Sequence, residues 1–312
     1  MYRADSLALN TPLNLGVTLS SAQTFQWIRR GRGWLGVTGD SAVYLLQTQN
    51  TVLFKIYGGG EWDPVSYFRL DDDYPSIIKS LGFDPIVRRL INTQPGLRVT
   101  RQDPWECLLM FVLSTNNNYK RIVKMTLNLN RAFGKKVETE FGAIHLFPTV
   151  ESLSVASLQE LVGCGLGYRS KYVLELARTL REGGVDLSRL RSKPYEEVRS
   201  TLLGLPGVGP KVADCVSLFS LEKLESFPVD TWIRRVLAEL YSHLLGENLH
   251  RVLKDESKSL SFSVYRAASQ KMRSYFGVYA GYAQNQLYYH SKKLIKKGFT
   301  RGSKRKLSEG VP

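Results

Sequence analysis

The chain has 312 residues, of which 43% are hydrophobic and 23% are charged, and this is the composition of a globular protein with a sizeable core. That composition excludes a disordered or fibrous chain, and the length favours two or three packed units. No run of 18 apolar residues occurs, and the first twenty residues lack the apolar stretch of a secretion signal, so we expect neither a membrane span nor export.

Net charge is the strongest global signal. The 43 Lys and Arg residues outnumber the 28 Asp and Glu residues, which gives a formal net charge of +15. A protein this basic is expected to bind a polyanion such as nucleic acid, although charge alone leaves open a basic protein with no such partner. Basic residues continue into the last twenty positions, where we predict a frayed, solvated tail.

The three cysteines, Cys107, Cys164 and Cys215, are far apart and odd in number. No CxxC pair occurs, so the sequence predicts neither a zinc nor an iron–sulfur site, and we expect no metal and no cofactor. A disulfide framework is not expected either, which suits a reducing, intracellular compartment.

The N-terminal part of the chain alternates apolar and polar residues as β-strands do. The predicted strands are 24–27, 34–38, 42–47 and 51–57. The turns between them are predicted at 30–33, 39–40 and 49–50. Together these segments form an antiparallel meander, which a run of three glycines at 58–60 ends.

From Asp71 onward the apolar spacing becomes helical. One helix start is marked by Asp103 as N-cap, Pro104 in the first turn and Glu106 three residues after the cap. The predicted helical runs are 105–113, 119–133, 170–181, 194–204, 209–221, 231–245, 263–276 and 280–296.

These patterns predict an α+β fold in which a small N-terminal β-domain packs on a mostly α-helical domain. We assign residues 1–100 to an antiparallel β-domain with a trailing helix and residues 101–298 to the helical domain. Residues 299–312 form the basic tail. No internal repeat is present.

A hairpin of two helices is predicted over 194–221. Its loop, within the string LPGVGPKVA, holds Pro206, Gly207 and Gly209. Glycine allows positive φ and close approach of another backbone, and free N–H groups at the start of the second helix favour a phosphate. This pattern indicates a helix-hairpin-helix that holds one DNA strand without reading its sequence, with a plain αα-hairpin turn as the alternative.

Lys211 and Asp230 are the candidate catalytic pair. Lys211 lies in the first turn of the second hairpin helix, where it can contact a phosphate or, as a neutral amine, attack a sugar C1′ to form a Schiff base. Asp230, 19 residues later, opens another helix, which it can cap. Its carboxylate can also stabilise the oxocarbenium-like charge of glycosidic cleavage, so the pair favours the catalytic interpretation.

LPGVGPKVADC followed by PVD resembles the helix-hairpin-helix–GPD DNA glycosylases. From about residue 13 to about residue 291 the chain is similar to the 8-oxoguanine DNA glycosylase/lyase family, with long matching strings at 103–122, 165–173 and 279–289. No trailing four-cysteine cluster of the endonuclease III type follows. The resemblance implies a base-excision repair enzyme that removes 8-oxoguanine opposite cytosine through a lysine Schiff base and then cleaves the strand by β-elimination.

The resemblance also implies roles for single residues on the side of the damaged base. Lys211 matches the Schiff-base lysine and Asp230 the catalytic aspartate. Cys215 and Tyr288 match the two residues that sandwich the lesion, and Gln284 matches the amide that reads its Watson–Crick edge. Spacings of four put Lys211 with Cys215, and Gln284 with Tyr288, on one helix face each. Without the resemblance, Cys215 and Tyr288 would be interpreted as core residues.

A second set of residues matches those that contact the rest of the duplex. Asn116 matches the residue that fills the gap left by the flipped base, and Tyr168 matches the wedge beside it. Arg121 and Arg169 match arginines that contact the orphaned cytosine, whose O2 and N3 atoms are acceptors for guanidinium groups. For the asparagines, helix capping is the alternative.

The sequence departs from the family pattern at three positions. Ala22 stands before Gln23 where the family usually has the glycine whose carbonyl recognises the N7 hydrogen of 8-oxoguanine. Tyr288 replaces a phenylalanine, and Trp232 replaces a phosphate-contacting histidine.

Because of Ala22, a glycosylase for another damaged purine remains an alternative function, and a non-catalytic helix-hairpin-helix protein is a third. The expected partner is double-stranded DNA containing oxidised guanine, bound by a monomer. The expected compartment is the one that holds the DNA, which is the cytoplasm or nucleoid of a prokaryote and the nucleus of a eukaryote.

Overall fold

The computed structural model describes the backbone of residues 2–296 and the side chains of residues 2–291. The predicted basic tail at 299–312 lies outside the described residues. An antiparallel sheet of five strands forms the N-terminal part, in the order β1-β5-β4-β3-β2. Its strands are β1 (Tyr2–Ala8), β2 (Ile28–Arg30), β3 (Gly33–Thr38), β4 (Ser41–Thr48) and β5 (Thr51–Gly58).

The predicted meander is confirmed for its last three strands and its turns. The pairs Arg30 with Gly33, Thr38 with Ser41 and Thr48 with Thr51 close the three hairpins. Two-residue turns between twisted strands need positive φ. The turn residues supply it, with φ of 55° at Gly31, 53° at Gly39 and 46° at Gln49.

The predicted strand at 24–27 is wrong. These residues form a loop, and strand β2 starts only at Ile28. The apolar alternation has another cause, because the loop buries the rings of Phe25 and Trp27 in the core. Strand β1 was not predicted, since most of its side chains are exposed and its sequence therefore carries no apolar alternation.

The sheet packs around the ring of Trp27. The Trp27 indole N–H donates to the Tyr67 hydroxyl at 2.9 Å, and the ring lies against Gly36 of β3. A Cβ at Gly36 would sit 2.4 Å from this ring, so only glycine fits there. The loop before β2 is thereby held against the sheet.

Most of the remaining described residues are helical. The helices are α1 (Leu15–Leu19), α2 (Pro64–Tyr67), α3 (Tyr74–Leu81), α4 (Pro85–Thr93), α5 (Pro104–Leu113), α6 (Tyr119–Phe133), α7 (Val150–Ser154), α8 (Leu158–Gly163), α9 (Arg169–Arg181), α10 (Tyr195–Leu203), α11 (Pro210–Phe219), α12 (Thr231–Leu240), α13 (Ser242–Leu245), α14 (Glu247–Lys254), α15 (Phe262–Phe276) and α16 (Ala280–Lys296). A small hairpin adds β6 (Lys136–Thr139) and β7 (Gly142–His145). The α+β fold class is thus confirmed.

The helix predicted at 231–245 is divided in two at Tyr241. The Tyr241 ring is completely buried, and its hydroxyl donates to Asp84 at 3.2 Å. Tertiary packing therefore overrides the continuous helical pattern there. Helix α14 and the β6–β7 hairpin were not predicted either, because both are short and most of their residues are exposed.

Helix α5 joins the helical domain to the sheet. Asp103 caps it as predicted, accepting from the Glu106 N–H at 3.0 Å. The Glu106 side chain instead crosses to the β3–β4 turn, where it accepts from the Gly39 N–H at 2.7 Å. Burial, helped by the charge of Asp103, raises the pKa of Glu106 from 4.5 to about 8.

We therefore predict that Glu106 makes the free energy of unfolding fall as the pH rises from about 5 to about 8. The folded state holds the Glu106 proton in this range and the unfolded state releases it, so unfolding becomes easier at higher pH. Glu106→Gln keeps an acceptor for the Gly39 N–H but does not titrate. Its free energy of unfolding, measured by urea denaturation, should therefore rise by about 1–3 kcal/mol relative to that of the wild type as the pH goes from about 5 to about 8. The exposed control Glu138→Gln should show no such gain. Parallel pH profiles for Glu106→Gln and the wild type would contradict the assignment.

Candidate active site

The predicted hairpin is present, with α10 and α11 joined by a loop that turns at Gly207. Gly207 has a φ of 76°, and a Cβ there would lie 2.8 Å from the Tyr172 side chain, so both conformation and space require glycine. Gly209 is the N-cap of α11 and supplies no side-chain cap. A Cβ on Gly209 would meet nothing within 4 Å.

The start of α11 is an open donor surface. Among the described residues, no protein group accepts from the backbone N–H of Gly207, Gly209 or Lys211. Pro210 at the first helical position has no N–H to satisfy. Uncapped N–H groups and the positive end of the helix dipole together favour an anion at this point.

Lys211 is held at the end of α5. Its Nζ donates to the Ser114 Oγ at 2.8 Å and lies 4.7 Å from the centroid of the Phe111 ring. The ring face attracts the ammonium, and the hydroxyl sets its direction. The half-buried amine is therefore oriented by α5, although it is carried on α11.

Asp230 caps α12 as predicted, since its carboxylate accepts from the Ile233 N–H at 2.8 Å. Burial raises its pKa, while that N–H and the charge of Lys211 oppose the shift. Among the described residues, Lys211 acts on Asp230 through its charge and forms no ion pair with it within 4 Å. The two groups thus interact through space without neutralising each other directly.

The charges of Lys211 and Asp230 both act on Cys215. The thiol is buried one turn after Lys211. Burial raises the pKa of the Cys215 thiol to about 12, with Lys211 lowering it and Asp230 and Asp214 raising it. The thiol is therefore protonated at neutral pH, and it serves as an apolar surface.

Helix α16 brings Tyr288 and Gln284 to the same site. Burial raises the pKa of Tyr288, and the charges of Asp230 and Cys215 add to the effect. The buried Gln284 amide donates to the Pro228 carbonyl at 3.0 Å. Its Oε1 is buried and has no partner among the described residues. The structure thus brings together all five residues predicted for the side of the damaged base.

Ala22 lies in the loop before β2 and has a φ of 58°, in the region that favours glycine. Three positions further on, Phe25 packs edge-on to Phe111 at 5.8 Å and against Tyr119 at 5.6 Å. Because Phe111 is also the ring beneath Lys211, the Ala22 loop joins the wall of the same site. The proximity of Tyr119 to Tyr288 extends this wall.

The residues predicted to contact the rest of the duplex form a second cluster at the α5–α6 loop. Asn116 is exposed and has a φ of 47°. The buried Arg169 guanidinium donates to the carbonyls of Thr115 and Asn116, at 3.2 Å for Asn116. Tyr168 is 55% exposed, and its hydroxyl donates to the Thr115 carbonyl at 3.4 Å. Arg121 is exposed in the first turn of α6.

Asp214 is a site residue that the sequence interpretation missed. It is completely buried and accepts from the hydroxyls of Tyr195 and Tyr265 at 2.7 Å each. The Tyr265 hydroxyl accepts in turn from the Val229 N–H at 3.2 Å. Asp214 therefore ties α11 to the segment that ends at Asp230. The available signal was an aspartate inside the apolar run of α11.

Ser114, Phe111 and Tyr119 were also missed, and no local motif marks them. Within residues 2–296, no group of three His, Cys, Asp or Glu side chains could hold a metal ion, and no helix is long and apolar enough to cross a membrane. The three cysteines are free and buried.

A five-stranded antiparallel domain, a glycine hairpin and a lysine and aspartate on successive helices define a class of protein. A model of the 8-oxoguanine DNA glycosylase N-terminal domain matches residues 6–108, and a model of the HhH-GPD superfamily base excision DNA repair proteins matches residues 109–255. The fold is therefore that of a helix-hairpin-helix–GPD DNA glycosylase.

Individual relatives narrow the assignment. The N-glycosylase/DNA lyase of Saccharomyces cerevisiae is 32% identical over 92% of this chain and 86% of its own length. The N-glycosylase/DNA lyase OGG1 of Arabidopsis thaliana is 32% identical over 89% of this chain and 77% of its own length. The chain belongs to the 8-oxoguanine DNA glycosylase/lyase family, as the sequence resemblance indicated.

A solved structure agrees with this assignment. The Clostridium acetobutylicum 8-oxoguanine glycosylase/lyase, in complex with double-stranded DNA containing cytosine opposite 8-oxoguanine, superposes with a TM-score of 0.82. It is 28% identical and covers 95% of this chain and 98% of its own.

Proposed function

We propose that this enzyme excises 8-oxoguanine from duplex DNA and then cleaves the strand at the abasic site. The observation that carries the proposal is the convergence of Lys211, Asp230 and Cys215 beside an uncapped helix start. An amine, a carboxylate and a phosphate-binding surface are the groups that excision from a DNA strand needs. The names of the relatives support the same activity.

In the proposed chemistry, the Lys211 nitrogen attacks the sugar C1′ through its lone pair. The base leaves with the electron pair of the glycosidic bond and takes up the proton that the attacking nitrogen loses. Positive charge develops on the sugar as that bond lengthens, and the Asp230 carboxylate stabilises it. Ring opening gives a Schiff base between C1′ and Lys211. Loss of a proton from C2′ then expels the 3′ phosphate, which is β-elimination.

Base selection follows from the groups around Lys211. Cys215 and Tyr288 would contact the two faces of a flipped base, and Gln284 would bond its Watson–Crick edge. The Ala22 carbonyl is an acceptor. The N7 atom of guanine is also an acceptor, whereas 8-oxoguanine carries a hydrogen on N7, so this carbonyl favours the oxidised base.

Opposite the lesion, we assign recognition of the orphaned cytosine to Arg121 and Arg169. Asn116 would occupy the gap left by the flipped base, and Tyr168 would wedge beside it. The Arg169 guanidinium has five donors, so it could keep bonds to the loop carbonyls and offer the remaining donors to the O2 and N3 acceptors of cytosine. We propose that the enzyme acts as a monomer on double-stranded DNA containing oxidised guanine, in whichever compartment holds that DNA.

One observation favours a second candidate, which is excision of another damaged purine. The Ala22 methyl group projects from a residue with positive φ where the family usually has glycine. The methyl group alters how a base approaches the Ala22 carbonyl. A purine whose edge at N7 differs from that of 8-oxoguanine could therefore be bound. A panel of duplexes carrying different damaged purines separates the two candidates by the excision rate of each.

Lys211→Gln should lower single-turnover excision of 8-oxoguanine by about a thousandfold or more while leaving binding of the lesion duplex largely intact. The amide keeps the size and polarity of the side chain but cannot attack C1′. Normal turnover by Lys211→Gln would remove this lysine from the mechanism.

Asp230→Asn should slow excision by about a hundredfold, because it removes the charge that stabilises the sugar. The free energy of unfolding of this variant should change by less than about 0.5 kcal/mol, because Asn caps helices as well as Asp does.

Arg121→Ala should reduce the preference for lesion:cytosine over lesion:adenine by about tenfold, because an arginine donor satisfied by cytosine faces the adenine amino group instead. Single-turnover excision on both duplexes measures the preference. The matched control Lys124→Ala, exposed one turn further along α6, should leave the preference unchanged. Equal loss on both duplexes would show that Arg121 contacts only the DNA backbone.

A further inference from the structure

We propose that Gln23 is the residue that positions the Ala22 carbonyl for base selection, an inference that rests on the proposed function. Ala22 and Gln23 are adjacent in the loop before β2. Ala22 is half-buried in the loop that joins the wall of the site, whereas Gln23 is completely buried. Gln23 therefore touches neither the base nor the sugar, and any effect it has on excision acts through Ala22.

The Gln23 side chain is bonded at both ends of its amide. Its Nε2 donates to the Arg98 carbonyl at 2.8 Å, and also lies within hydrogen-bond distance of Thr18 and Ser21. Its Oε1 accepts from the Thr100 N–H at 2.8 Å and from the Thr100 hydroxyl at 3.0 Å. The bonds to Arg98 and Thr100 connect positions more than 70 residues apart, so they fix the loop against the extended segment that precedes α5.

Ala22 needs this support. A non-glycine residue with a φ of 58° is strained by roughly 1 kcal/mol or more, and such strain persists only where neighbouring contacts leave no alternative. Among the backbones of residues 2–296, no N–H group donates to the Ala22 carbonyl. The carbonyl is thus an unused acceptor whose direction depends on the residues that follow it.

The segment to which Gln23 is bonded also contacts the helices on the other side of the site. The Arg98 carbonyl also accepts from the Asn285 amide at 3.4 Å, and Asn285 is the neighbour of Gln284 on α16. The Gln102 N–H, further along this segment, donates to the carbonyl of Phe219 at the end of α11. Segment 98–102 therefore relates the Ala22 loop to the two helices that carry Gln284 and Lys211.

This arrangement separates base selection from the chemistry of Lys211. An abasic site has no base for the Ala22 carbonyl to contact, but it still presents C1′ to the lysine. Loosening the Gln23 contacts should therefore slow excision of the base and spare strand cleavage at a preformed abasic site. A residue with a merely structural role would affect both reactions together.

The experiment compares Gln23→Met with the wild type on two duplexes, one with 8-oxoguanine opposite cytosine and one with a preformed abasic site. Excision should fall by about 10- to 100-fold, the effect of misplacing one contact, while abasic cleavage stays within about twofold. Val43→Ala is the control for a general loss of stability, because Val43 is buried in β4 of the N-terminal sheet. Both rates should be unchanged in this variant.

Thr100→Val serves as a second, milder variant, because it removes one hydroxyl donor to Gln23 and keeps the side-chain shape. It should show the same selective loss at a smaller size, and it keeps the test decisive if Gln23→Met does not fold. Equal loss of both reactions, or no loss of excision, would show that Gln23 does not position the Ala22 carbonyl, and would leave the proposed function standing. Failure of the wild type to excise 8-oxoguanine would overturn the proposed function as well.

Discussion

The buried carboxylate of Asp214 sets the spacing between the two groups on which the proposed chemistry depends. It accepts from two tyrosine hydroxyls at 2.7 Å, and one of them, that of Tyr265, also accepts from the Val229 N–H. Asp214 comes three residues after Lys211, and Val229 directly precedes Asp230. Because a buried carboxylate is costly unless its hydrogen bonds are made, this cluster favours the packing of α11 against the segment that leads into α12. The amine and the carboxylate are thus held near each other without forming an ion pair.

Backbone strain lies on both sides of this pair. Ala22 and Asn116 have positive φ, and each is supported by a buried polar side chain, Gln23 in one case and Arg169 in the other. Strain of this kind is kept where the surrounding structure leaves no alternative, and it concentrates at functional sites. The two loops approach the site from the sheet and from α5, so a flipped base and the gap it leaves would each meet a loop that is already formed.

Local signals predicted the hairpin, the position of Lys211 at the start of α11 and the cap of α12, because glycine, proline and N-cap preferences act within a few residues. The rest depends on partners distant in sequence. Glu106 reads locally as part of a capping box, yet its partner is Gly39, 67 residues away. The segment 24–27 alternates like a strand because two rings point into the core from a loop. Likewise, Ser114 carries no motif and gains its role only when α5 packs on α11.

The proposed chemistry requires Lys211 to form a covalent bond to the sugar from which the base leaves. Borohydride reduction during turnover of a lesion duplex, followed by proteolysis and mass spectrometry, identifies the attached residue directly. We expect a single modified peptide carrying the sugar remnant on Lys211, and no trapped product with Lys211→Gln. A remnant on another amine, or excision of the base without any trapped product, would contradict it.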